Sequence, residues 1–154
     1  TGSPSEKGLY MDAQACYDYA TRILKISPDK IILYGESLGG AVAIDLAGQN
    51  RVKAVILEGV FPSVVDMARR LLPFLPSFLL SSKFDSVSKI DKINVPKLFI
   101  HSRNDEIIPF DLGKKVFERA VFPKEFFEIH GGHNDAFFNQ TGILKKRIGD
   151  FLGN

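Results

Sequence analysis

A serine, a carboxylate and a histidine that together can carry out acyl transfer occur in this chain in the order Ser37, Asp105, His133. Ser37 sits in Gly35-Glu36-Ser37-Leu38-Gly39, a G-x-S-x-G pattern. A strand-like run, Ile31-Ile32-Leu33-Tyr34, leads into it, and a small-residue helical run, Gly40-Ala41-Val42-Ala43-Ile44, leads out. A serine on a sharp strand-to-helix turn has little room for neighbouring side chains, which accounts for the flanking Gly35 and Gly39. Its hydroxyl then stands above the sheet beside helix N-terminal N–H groups. A hydroxyl attacks a carbonyl well only when a base takes its proton, and an imidazole base needs an acid to fix its tautomer. The backbone N–H of Leu38, one residue past the serine, is the expected oxyanion donor.

Candidates for base and acid lie at later strand ends. The run Lys97-Leu98-Phe99-Ile100-His101 precedes a loop, Ser102 to Pro109, that contains Asp105; the run Glu125 to Ile129 precedes His130-Gly131-Gly132-His133. The glycine pair suits a loop that carries His133 over the serine, which favours it as the base. His101 closes a strand and reads as a packed or partly exposed histidine. His130 and His133 make a poor metal signal, since no Cys or helical H-E-x-x-H pattern accompanies them, and no metal is expected. Glu106, Asp111 and Asp135 compete with Asp105 for the role of acid; Asp135 reads better as a helix N-cap before Ala136. Glu36 is a polar rim residue or a buried partner for a loop N–H. Glu58 and Phe61 leave a strand end near the expected pocket, and Phe61 is expected to line it, with ordinary core packing as the alternative.

On these segments the chain resembles the α/β-hydrolases, in particular their small-lid esterase, thioesterase and peptidase-like branch. The matching stretches are Ser3 to Tyr10, Leu33 to Gly40, His101 to Pro109 and Gly131 to Asp135. The order Ser, Asp, His is the one that fold uses. The resemblance implies Ser37 as nucleophile, Asp105 as acid and His133 as base. It also implies several strands before the nucleophile strand, and none is found here. The chain is therefore expected to correspond to the C-terminal portion of a longer hydrolase, or to a truncated form. The His-Gly-type loop that gives the family a second oxyanion N–H has no counterpart.

The elements that must position these residues follow from periodicity. Leu9, Ala13, Cys16, Tyr17, Ala20, Ile23 and Leu24 recur at helical spacing, which predicts a helix over about 9–26 with Cys16 on its buried apolar face. Ser27-Pro28-Asp29 stops it. Strands are expected over 30–34, 52–57, 97–101 and 125–129, with helices reaching about Ala47, over 110–122 and over 137–152. Strand–helix alternation gives an α/β fold with a parallel sheet of about four strands. Residues 1–154 then form one hydrolase-like domain. The stretch 60–93 interrupts the alternation with Pro62, Pro73 and Pro76 and is expected to be a lid-like insertion, its apolar Leu71–Leu80 run forming an acyl-binding wall.

Composition fits this reading. With 45% hydrophobic and 25% charged residues the chain can bury a core, and a net charge of +2 is too small to call for nucleic acid. The Lys145-Lys146-Arg147 cluster reads as a solvated helix face. A single cysteine rules out an internal disulfide. No apolar run is long enough to span a bilayer. The expected activity is a serine hydrolase cleaving a small-molecule acyl ester or thioester through an acyl-enzyme, with no metal or organic cofactor. Its alternatives are a peptidase or amidase of the same fold, or a catalytically silent interaction module. With one edge of the nucleophile strand unpaired, self-association through that edge or the lid is also expected.

Overall fold

The structure, a computed structural model, describes residues 4–74 and 80–153. Four parallel strands, β1 (Ile32–Glu36), β2 (Ala54–Glu58), β3 (Lys97–Ser102) and β4 (Lys124–Ile129), lie side by side in chain order. Glu36 faces Glu58 across the first pair, Glu58 faces Ile100 across the second, and Ser102 faces Ile129 across the third. Every residue of β2 and β3 is buried, whereas β1 and β4 are only partly covered because they are the edges.

Helices α1 (Glu6–Asp18), α2 (Leu38–Gln49), α3 (Val64–Leu71), α4 (Phe110–Arg119), α5 (Ala136–Asn139) and α6 (Thr141–Leu152) flank the sheet. Side chains of a strand alternate between its two faces, so β2 feeds two cores. Val55 and Leu57 join Ile44 of α2 and Val116 of α4 on one face, while Ile56 joins Leu144 of α6 on the other. Leu57 is fully buried, and truncating such a side chain to alanine costs about 2–5 kcal/mol. A third cluster, with Ala41, Phe61, Phe84 and Ile108, packs α2 against the segment after β2 and the loop before α4.

The structure corrects the sequence reading at α1. The helix ends at Asp18 and continues as a π-helical turn, Tyr19–Ile23. None of its residues is buried, and Cys16, Ile23 and Leu24 are exposed. The apolar stripe is real, but α1 lies at the β1 edge, where among the described residues no further strand completes a core beneath it. Strand β1 also starts and ends two positions later than expected, which takes Gly35 and Glu36 into the sheet and sharpens the turn at Ser37. The final helix is split between α5 and α6.

In the interval 60–93, Ser63 caps α3 by accepting the Asp66 N–H at 2.9 Å. Leu71, Leu72 and Phe74 are exposed, and the Leu75–Leu79 part of the expected lid lies outside the described residues. Phe84 and Ile90 return the chain to the core. No helix among the described residues is long and apolar enough to cross a membrane.

Candidate active site

Ser37 follows the last residue of β1 and precedes the first of α2, with φ +51° and ψ −118°. A side chain-bearing residue in this region is strained, and such strain persists only where the surroundings hold it. The hold is visible: the Ser37 N–H donates to the Glu58 carbonyl at 2.8 Å, and the Ser37 carbonyl accepts the Gly40 N–H at 3.0 Å. A Cβ on Gly35 would lie 2.5 Å from the Gly39 carbonyl oxygen, and one on Gly40 would lie 2.4 Å from Val60 Cγ1. A Cβ on Gly39 would meet nothing within 4 Å. The turn therefore demands glycine at 35 and at 40, and the second glycine of the pattern, unlike the sequence reading, is not sterically required. Leu38 opens α2 and is partly exposed. The first N–H groups of a helix have no acceptor within it, which leaves the Leu38 N–H suited to an incoming oxyanion.

Asp105 sits in the loop after β3 with both oxygens in use. Oδ1 accepts the N–H groups of Ile107 at 2.9 Å and Ile108 at 2.7 Å. Oδ2 lies 2.7 Å from Nδ1 of His133. Both side chains are nearly closed to solvent, at 3% for Asp105 and 7% for His133. A carboxylate only accepts, so Nδ1 carries a proton, and in the neutral ring Nε2 keeps its lone pair. The backbone N–H of His133 donates to Glu106 at 3.0 Å, and Ser102 Oγ donates to the Gly131 carbonyl. Glu106, a rival for the acid in the sequence, thus holds the histidine loop instead.

His101 and His130 are elsewhere. His101 is 1% exposed; its Nε2 donates to the Ile108 carbonyl at 2.9 Å and lies 3.7 Å from Asp105 Oδ2. Its Nδ1 is buried without a partner. Burial holds His101 below the usual histidine range, against the opposing pull of the Ile108 carbonyl and Asp105. It packs beneath the acid loop as a neutral ring. His130 is exposed, 3.4 Å from Asn104 Oδ1. Among the described residues no group of three or more His, Cys, Asp or Glu side chains is gathered that could hold a metal ion. Asp111 lies in the first turn of α4, and Phe61 is buried against Ala41, Phe84 and Ile108.

Two features were not legible in the sequence. Gly59, with φ +53°, approaches His133 so closely that a Cβ there would lie 3.1 Å from His133 Cε1 and 3.7 Å from Asp105 Oδ2. The Glu58 carboxylate accepts the Tyr34 hydroxyl and is buried in the same region. The only sequence sign of either was their place at the end of an apolar strand.

Ser37, Asp105 and His133 thus leave the carboxyl ends of β1, β3 and β4 on one edge of the sheet, and two of them touch. Residues 2–147 match the dienelactone hydrolase family. The chain belongs to that family. It is 35% identical over 153 residues to the uncharacterized protein Rv2307c of Mycobacterium tuberculosis, a match that covers 98% of this chain and 54% of that protein. The chain spans about half the length of the curated relatives it matches. Among solved structures it superposes on an alpha-beta hydrolase from Vibrio vulnificus with TM-score 0.79 at 23% identity, covering 97% of this chain and 58% of that one. The Pyrococcus furiosus esterase Pf2001 gives TM-score 0.77 at 17% identity, covering 99% of this chain and 63% of that one. At such identities the two structures speak to the fold, which is that of the α/β-hydrolases.

Proposed function

We propose that this family member is a serine hydrolase that cleaves carboxylic esters or thioesters through an acyl-enzyme. The observation that carries the reading is the Asp105–His133 contact of 2.7 Å at the sheet edge from which the strained Ser37 also projects. In the proposed steps His133 Nε2 takes the Ser37 proton as Oγ bonds to the acyl carbon. The carbonyl oxygen becomes an oxyanion facing the Leu38 N–H. The proton passes to the leaving alcohol or thiol as its bond to carbon breaks. Water then repeats the sequence and frees the acid. Asp105 keeps its own charge throughout and stabilises the imidazolium. The oxyanion needs more than one donor for ordinary turnover, since losing one donor typically costs about 100–1,000-fold. The Gly59 N–H is committed to the Ile100 carbonyl at 2.9 Å and is not that second donor.

A fluorophosphonate probe tests the reading: covalent capture at Ser37, lost in Ser37→Ala, is expected, and a folded chain that never reacts would overturn it. Turnover of a short-chain acyl ester but not of an aminoacyl amide separates the esterase from a peptidase.

A second reading, an interaction module, is favoured by the β1 edge. A groove of about 260 Å³ there is walled by Ala13, Cys16, Tyr17, Ala20, Ile31 and Leu33. Exposed apolar grooves mark contacts with other chains, so we also propose self-association through this face.

A further inference from the structure

The loop that carries His133 has little stiffness of its own. Gly131, at φ +123°, and Gly132 precede the histidine, and successive glycines leave a backbone that no side chain restrains. A ring delivered on such a loop needs ties from outside it. Three side chains supply them. Gln140 donates to the His130 carbonyl, Ser102 Oγ donates to the Gly131 carbonyl, and Glu106 Oε2 accepts the His133 N–H at 3.0 Å.

The tie from Glu106 falls on the histidine itself. Glu106 follows Asp105 directly, and Asp105 Oδ2 lies 2.7 Å from His133 Nδ1. Two consecutive carboxylates therefore take one residue at two points, one at the ring and one at the backbone. The fit is close: a Cβ on Gly132 would lie 3.0 Å from Glu106 Oε2. The two acids are not interchangeable. The Asp105 side chain is closed to solvent and aimed by the Ile107 and Ile108 N–H groups, whereas Glu106 is exposed and reaches across to the neighbouring loop. A single contact at Nδ1 leaves the ring free to swing about it. Nε2, on the far side of the ring, moves most in such a swing, and it is the atom that must reach the Ser37 hydroxyl. A second hold at the backbone N–H shortens that swing.

We infer that Glu106 is a positioning residue for the reaction: it fixes the backbone of His133 while Asp105 fixes the ring, and together they hold Nε2 where it can take the Ser37 proton. This rests on the proton-transfer reading above. Glu106 acts through the His133 peptide and moves no proton. Its part is one of reach, so an uncharged acceptor of the same length serves in its place.

Glu106→Ala and Glu106→Gln in the whole chain test this. In Glu106→Ala the backbone amide of His133 should exchange with solvent roughly tenfold faster by NMR, the order that losing one hydrogen bond gives. The Ile107 and Ile108 amides, which Asp105 holds, should keep their rates. The maximal rate of fluorophosphonate capture at Ser37 should fall roughly tenfold to a hundredfold, as a misplaced catalytic group costs, with the half-saturating probe concentration unchanged. Glu106→Gln, whose amide oxygen still accepts, should recover most of both losses. An unmoved His133 amide, an undiminished capture rate in the alanine variant, or a glutamine variant as slow as the alanine one would overturn the inference. Should Glu106→Ala not fold, Glu106→Asp carries the same test, because it keeps the charge but draws the carboxylate back by a methylene; unmoved exchange and capture rates there refute. A parent chain that the probe never captures sinks the serine reading and the catalytic part of this inference with it, and the amide exchange then judges the hold on His133 by itself.

Discussion

Gly113 of α4 lies so close to His101 that a Cβ on it would sit 2.1 Å from Nδ1. The contact explains how a buried ring nitrogen comes to have no partner: it faces a helix backbone with no room for a side chain or a water. The other nitrogen of the ring holds the Ile108 carbonyl, and Ile108 in turn donates to Asp105. Gly113→Ala should therefore cost about 1–3 kcal/mol, as overpacking usually does, and should disturb the acid loop as well. Thermal unfolding and the probe-capture rate measured on one sample check both effects; an unchanged melting temperature would mean that the ring has another place to go.

The same ring sets a pH dependence. His101 stays neutral in the fold, below its ordinary value of 6.5, whereas in the unfolded chain it takes up a proton as pH falls through about 6.5. Its contribution is complete above that pH and is lost progressively on the way down to the folded value. The stability difference between the parent and His101→Gln should thus shrink between pH 7.5 and 5.5. The Glu58 carboxyl, which burial holds above its ordinary value, drives stability the opposite way over acidic pH, so only this difference, not the raw unfolding curve, is diagnostic.

Asp105→Asn should leave the loop folded, since the amide oxygen can still accept from Ile107 and Ile108. The amide nitrogen would then face Nδ1 and favour the wrong tautomer of His133. Acyl-ester turnover should fall by about 10,000-fold, the loss typical of this change in a serine triad. Ester hydrolysis measured beside far-ultraviolet circular dichroism checks it, and near-normal turnover would remove Asp105 from the proposed mechanism.

In the proposed mechanism the strained backbone of Ser37 serves its hydroxyl. Ser37→Ala should end ester hydrolysis while leaving stability near that of the parent, because alanine is strained at φ +51° as serine is. Ser37→Gly should end hydrolysis too but raise stability by about 1 kcal/mol or more, since glycine adopts this backbone freely. Equal stabilities for the two variants would show that the turn stores no strain.

Association should be visible at the β1 edge. Light scattering should report assemblies that grow with concentration, and Ala20→Lys, in the wall of the groove, should weaken them. The single cysteine gives a second readout. Cys16 is exposed on this face, so it should react quickly with a maleimide in dilute chain and slowly in concentrated chain. A clean monomer at all concentrations would refute the association.

Much of the sheet was legible because apolar runs such as 52–57 and 97–101 have no other sensible place than a buried parallel strand. Ser37, Asp105 and His133 could be picked out as candidates because each follows such a run. What escaped was set by packing between distant segments. The exposure of Cys16 depends on what lies beside β1 and not on the helical spacing of α1. The need for glycine at 40 comes from Val60, and the tight seat of His133 comes from Gly59. Glu58 reads in sequence as a strand-end residue near the expected pocket, and its burial and its hydrogen bond from Tyr34 come only from the register of β1 against β2.

The two hydrogen bonds that aim Asp105 both come from within residues 105–108. The direction of that carboxylate is thus set within one short contiguous peptide, which the buried His101 ring supports from below through the Ile108 carbonyl. Such a peptide is a portable part: grafted with its strand, it would bring its geometry with it. The serine turn is the reverse case, since its shape is fixed jointly by Gly35, by Gly40 against Val60 and by the Glu58 carbonyl. Exchange of segments between related hydrolases should then carry the Asp105 loop across together with the strand that bears His101, while the Ser37 turn travels only with both of the strands that shape it.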